Sequence, residues 1–149
     1  MNMWQHDQTT VTDEELLQTL KETIQGSITV LDGPTGCGKT RLLKQLAASE
    51  GRSVDKYSVE AIKELVMGRI YSSPHIQRDM TGDDIIAIED IDFLNTAKSL
   101  QIEAAILIEK ASAEHAVIIT GIQLSKRVPV MMKTLERHCD NLLVWKYQS

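Results

Sequence analysis

The sequence predicts an α/β fold, a mostly parallel sheet covered by helices on both faces. Three observations predict it. Residues 27–31 (SITVL), 85–88 (IIAI) and 116–120 (AVIIT) are short apolar runs without the alternation of a half-solvated strand, so each reads as a strand buried on both sides. Segments of helical periodicity alternate with them, as crossover connections between parallel strands require. The first of these strands runs directly into DGPTGCGKTR, a glycine-rich loop followed by a helix.

Taken in order, Thr12 followed three residues later by Glu15 is a capping box, and Leu16, Leu17, Leu20 and Ile24 behind it lie at helical spacing, with Gly26 closing the helix. After the first strand and the loop, Leu42, Leu43, Leu46 and Ala47 share one helical face that ends near Gly51. A weaker strand at 53–57 precedes a helix capped by Ser58, with Ile62, Leu65, Val66 and Ile70 inward and Pro74 as its limit. A polar loop at 74–83 leads to strand 85–88, which ends in Glu89 and Asp90. A long helix at about 96–114, the strand 116–120, a helix at 128–138 and a last strand at 141–145 complete the chain. We divide the chain into a segment 1–26 with its short amphipathic helix and a nucleotide-binding core 27–149, with no internal repeat or linker.

Composition bounds the function. At 149 residues, 42% hydrophobic and 25% charged, the chain has the size and mixture of one globular unit. Six aromatic residues are too few for a stacking platform along single-stranded nucleic acid. The net charge of −5 argues against a surface that is basic throughout. From Gly121 onward, however, five basic side chains face two acidic ones, a net +3 that leaves −8 for residues 1–120. That basic end is either a solvated face or a contact for an acidic partner or phosphate backbone. Cys37 and Cys139 have neither disulfide-framework nor zinc spacing. The start, MNMWQHDQTT, has no leader character and no run is long enough to span a membrane, so the cytoplasm is the expected location.

The chemistry is concentrated at three strand ends. Gly33, Pro34, Thr35, Gly36, Cys37, Gly38, Lys39 and Thr40 fit the P-loop spacing in its required strand-to-helix setting, and Arg41 follows. Glycines let successive N–H groups turn toward a β-phosphate, and the helix N-terminus adds partial positive charge. Lys39 is expected on the β- and γ-phosphates and Thr40 on Mg²⁺. Glu89 and Asp90 are the acid pair such a loop needs: Glu89, with Thr40, toward the metal, and Asp90 toward the attacking water or the metal shell. Thr120, ending the strand in VIITG, either senses the γ-phosphate or simply completes a strand. Arg137 is either an exposed helical arginine or an arginine finger for a neighbouring subunit's site.

The combination GPTGCGKTRLL, DKYSVEAIKELV, IIAIEDIDFLNTAKS and VIITG resembles the AAA+ ATPase core of the bacterial replication initiator DnaA and its short DnaA-related relatives, over about residues 27–144. The resemblance implies a three-layer P-loop NTPase with five core strands in the order 5-1-4-3-2, and ATP with Mg²⁺ as cofactors. It also implies self-association or contact with replication or transposition proteins. By position it makes Thr120 the first sensor and Arg137 the finger. The family usually has Asp where Glu89 stands, and nothing after the last strand resembles its helical lid or its DNA-binding helix-turn-helix. The expected function is therefore a weak Mg²⁺-dependent ATPase in replication initiation, its regulation, or helicase or transposase loading, its site completed by a partner. A nucleotide-responsive or non-hydrolysing adaptor is the alternative. DNA is a weakly supported partner, a membrane none, and a nucleotide kinase is disfavoured for want of an arginine-rich lid.

Overall fold

The computed structural model describes residues 3–49, 54–57 and 85–148. Among them are seven strands: β1 (Met3–His6), β2 (Thr9–Val11), β3 (Ile28–Asp32), β4 (Val54–Tyr57), β5 (Ile85–Ile88), β6 (Ala116–Gly121) and β7 (Leu142–Gln148). The helices are α1 (Asp13–Lys21), α2 (Lys39–Ala48), α3 (Lys98–Ser112), α4 (Leu124–Arg127) and α5 (Pro129–His138), with a 3-10 turn at Ile91–Thr96.

The strands form one sheet in the order β2-β1-β7-β3-β6-β5-β4. From β7 to β4 all neighbours are parallel, and these five strands stand in the expected order 5-1-4-3-2. The other two are an addition: β1 pairs antiparallel with β2 on one side and with β7 on the other, Trp4 opposite Tyr147.

Alternation along the strands sorts the core into two layers. Ile28 and Val30, Ile86 and Ile88, and Val117 and Ile119 face the layer of α3 and α5. Leu31, Ile85 and Ala87, and Ala116 and Ile118 face the opposite layer, where Leu16, Leu20, Leu42, Leu43 and Leu46 of α1 and α2 pack with Trp4 and Trp145. Each buried Leu or Ile contributes about 1.5–3 kcal/mol, so both layers hold the sheet between helices, and its parallel strands present their C-terminal ends to one side.

The expected helices form with shifted ends. Thr12 caps α1, its hydroxyl accepting from the Glu15 N–H at 3.3 Å. The helix stops at Lys21, earlier than Gly26, because the Thr23 hydroxyl turns back onto the Leu20 carbonyl and the Ser27 hydroxyl onto that of Ile24. Ile24, expected inward, is therefore 67% exposed. The expected 96–114 helix is shortened to α3 by the 3-10 turn before it, and the 128–138 helix gains α4 as a short forerunner. The expected helix after Ser58 and the loop at 74–83 lie outside the described residues.

Candidate phosphate-loop site

The loop leaves β3 at Asp32 and enters α2 at Lys39. Gly36 and Gly38 have φ of +85° and +100°, values that side chains other than glycine rarely adopt. These turns lead the chain into α2, whose first-turn N–H groups no intrahelical carbonyl can satisfy. Gly33 is required for a different reason. A Cβ there would lie 2.7 Å from Cys37 Sγ, 2.9 Å from Tyr147 Cβ and 3.2 Å from the Trp4 ring, so the loop rests directly on β1 and β7.

Lys39 is 8% exposed, and its ammonium donates to the carbonyls of Gly33, Pro34 (3.4 Å) and Gly121 (3.1 Å). These acceptors are neutral carbonyls, and Lys39 has no ion pair among the described residues. The Thr40 hydroxyl donates to Glu89 Oε1 at 3.0 Å, joining the loop to the end of β5. Asp90 is exposed and left-handed at φ +58°, and its N–H donates to the Thr120 hydroxyl at 3.3 Å. Thus Lys39, Thr40, Glu89, Asp90 and Thr120 come together from three strand ends. Arg137 does not join them. It stands exposed in the last turn of α5, on the helix that packs against α3, with no ion pair among the described residues.

The Arg41 guanidinium lies against the loop at Gly38, where a Cβ would meet its Nη2 at 2.9 Å. Its Nη2 pairs with Asp13 Oδ2 at 2.7 Å, and the other oxygen of Asp13 accepts from the Trp4 indole N–H at 3.1 Å. One carboxylate thereby ties β1, α1 and the first turn of α2. Cys37 is buried beneath the loop, and burial raises its thiol pKa above the usual value against the lowering pull of Lys39.

Sequence reasoning missed four supports of this site: Trp4, Asp13, Asp32 and Asp92. Asp92 accepts from the Ile122 N–H at 3.2 Å and Arg127 Nη1 at 3.5 Å, and Asp32 accepts from the Leu124 N–H at 3.2 Å. Together they fix the turn after β6. The acids flanking the motifs, Asp32 before the loop and Asp92 in IEDID, were the available signal; Trp4 and Asp13 had none, because their partners are distant in sequence.

For magnesium, the hydroxyl of Thr40 and the carboxylate of Glu89 are hard oxygen donors already in contact, and they fit an ion held by one or two protein oxygens plus phosphates. No group of three or more His, Cys, Asp or Glu side chains able to hold a metal by itself occurs among the described residues.

The loop between β3 and α2, with strand order 5-1-4-3-2, defines a P-loop NTPase architecture. Solved structures narrow it to a DnaA-like AAA+ core fold. The chain is similar to a DNA replication initiation factor (21% identity, TM-score 0.54, 89% of this chain and 43% of that one). It is also similar to the replication initiator DnaA bound to AMPPCP and single-stranded DNA (18%, 0.57, 91% and 45%). A third likeness is to the Orc1 protein of Aeropyrum pernix in complex with DNA (20%, 0.50, 88% and 44%). The chain spans less than half the length of each of these. No protein-family model and no curated protein matches it. No helix among the described residues is long and apolar enough to cross a membrane.

Proposed function

We propose that this chain binds ATP through residues 33–41 and hydrolyses it slowly with Mg²⁺, as the core of a machine acting in DNA replication initiation, its regulation, or helicase or transposase loading. The observation that carries this reading is the Thr40–Glu89 hydrogen bond, which joins the phosphate loop to the acidic strand end across 49 residues of sequence. The replication initiators that share the fold, one of them bound to AMPPCP and single-stranded DNA, supply the cellular setting.

In this reading the amides at the start of α2 and the Lys39 ammonium bind the phosphates. Thr40 and Glu89, with Asp90 beside them, would hold Mg²⁺, which when bound neutralises charge on the phosphoryl group being transferred. Asp90 orients the attacking water, and the Thr120 hydroxyl holds the Asp90 backbone in place. Arg137, exposed in the last turn of α5 and with no bond to the strand-end cluster, is assigned to the site of a neighbouring copy. A second copy, a replication or transposition protein and DNA are the proposed partners.

Mg²⁺-ATP binding and phosphate release by the purified chain, with and without DNA, test this reading. We expect Lys39→Ala to lose binding and Asp90→Asn to bind but lose turnover. A non-hydrolysing adaptor is the second reading, favoured because Lys39 and Thr40 are already satisfied internally. ATP binding without phosphate release under any condition selects it.

A further inference from the structure

The phosphate loop is touched at both of its ends by partners of a single carboxylate. A Cβ on Gly33, where the loop begins, would lie 3.2 Å from the Trp4 ring, and one on Gly38, where it ends, would lie 2.9 Å from Arg41 Nη2. Asp13 joins the two contacts. Its Oδ1 accepts from the Trp4 indole N–H at 3.1 Å, and its Oδ2 pairs with Arg41 Nη2 at 2.7 Å. Trp4 is fixed in turn by Tyr147, whose ring meets it edge-on with centroids 5.2 Å apart.

Asp13 is one of three acids in the first turn of α1, and any of them can serve the helix dipole there. Glu14 and Glu15 are exposed, whereas the Asp13 side chain is 29% exposed and bonded to β1 and α2. Helix-start chemistry alone does not account for that placement. The loop spanned by these contacts has positive φ at Gly36 and Gly38, and glycine backbone has the most conformational freedom to lose when a bound anion orders it. Fixing both ends in advance removes part of that loss from the binding step.

We propose that Asp13 is a positioning residue for the phosphate loop: through Trp4 and Arg41 it fixes the loop at both ends, so that affinity for phosphate depends on the N-terminal hairpin of β1 and β2. The inference rests on the nucleotide-binding reading above and extends it to a residue outside the loop and the acidic pair, one that acts through its neighbours and not on the ligand. An arginine–carboxylate pair this exposed is worth about two- to fivefold in affinity, and release of both loop ends about tenfold.

Calorimetric titration of wild type, D13A, D13N, R41Q and D13N/R41Q with Mg²⁺-ATP and with tripolyphosphate tests it, with ligand-free melting curves as a check on folding. D13A should weaken both ligands by the same factor, about tenfold, because the loop is disturbed and the nucleoside is not. D13N keeps an acceptor for Trp4 and should weaken both about two- to fivefold, with no further loss when R41Q is added. Additive losses from D13N and R41Q would mean that Arg41 acts without Asp13, weakening of ATP alone would put Asp13 on the nucleoside, and lowered melting with unchanged affinities would make its role structural. Each of these overturns the inference and leaves the nucleotide reading standing. Wild type that binds neither ligand overturns both.

Discussion

The two layers that sandwich the sheet are built by different means. The layer of α3 and α5 is aliphatic and methionine packing, with Ile88, Ile108, Ile119, Met131 and Leu135 all at most 2% exposed. The layer of α1 and α2 holds both tryptophans and Cys37, and it is stitched by the Trp4–Asp13–Arg41 bonds. The first layer contributes stability through volume, which any well-shaped apolar group can supply. The second carries the phosphate loop on its upper edge, where Gly33 touches Trp4 and Tyr147, so its contacts are directional. A change in the first layer should alter how much protein is folded; a change in the second should also alter what the folded protein binds.

The sharpest way to break this contrast is a pair of large-to-small variants. Ile108→Ala should cost about 2–5 kcal/mol and Trp4→Ala about 3–5 kcal/mol by urea unfolding, but only Trp4→Ala should weaken ATP binding in the protein that remains folded. Equal ATP affinity in the two variants would erase the distinction. Gly33→Ala should cost about 1–3 kcal/mol and lower nucleotide affinity more than tenfold, because the new methyl displaces the loop from its floor. Titration calorimetry beside chemical unfolding separates the two effects.

Asp13→Ala leaves the buried Trp4 indole N–H without its acceptor and should cost about 1–3 kcal/mol. Asp13→Asn keeps an acceptor and loses only the pair with Arg41, whose side chain is 61% exposed, so it should cost less than about 1 kcal/mol. The smallest effect is a pH dependence. Burial raises the Cys37 thiol pKa, so folded and unfolded chains are both protonated there at neutral pH. Above the ordinary thiol pKa the unfolded chain ionises first, and stability falls as pH rises further. Cys37→Ala should flatten that alkaline slope, measured by urea midpoints across the alkaline range.

Where sequence and structure agree, the signal was local or periodic. The loop carries its own spacing, and the apolar runs at 85–88 and 116–120 formed β5 and β6 at the expected places. The acidic pair is legible because a strand end has to point somewhere, and Thr40 meets Glu89 there. The N-terminal hairpin was not legible. Met3–His6 and Thr9–Val11 are too short and too polar to signal strands, and what makes β1 a strand is β7, more than 130 residues away. Ile24 misled because helical spacing continued past the point where Thr23 and Ser27 hydroxyls ended the helix. Asp13 gave no signal, because the carboxylate that ties Trp4 to Arg41 meets partners nine and 28 residues away.

The pairing of Trp4 with Tyr147 also sets an order in time. A ribosome releases Trp4 well before the strand that receives it, which lies more than 130 residues further along the chain. Contacts so distant in sequence close late and slowly. The phosphate loop is therefore synthesised before β7 and lacks the Tyr147 part of its floor until β7 arrives. A nascent chain halted before Leu142 should expose both the indole of Trp4 and the underside of the loop, a state that a chaperone or protease would meet before any nucleotide could.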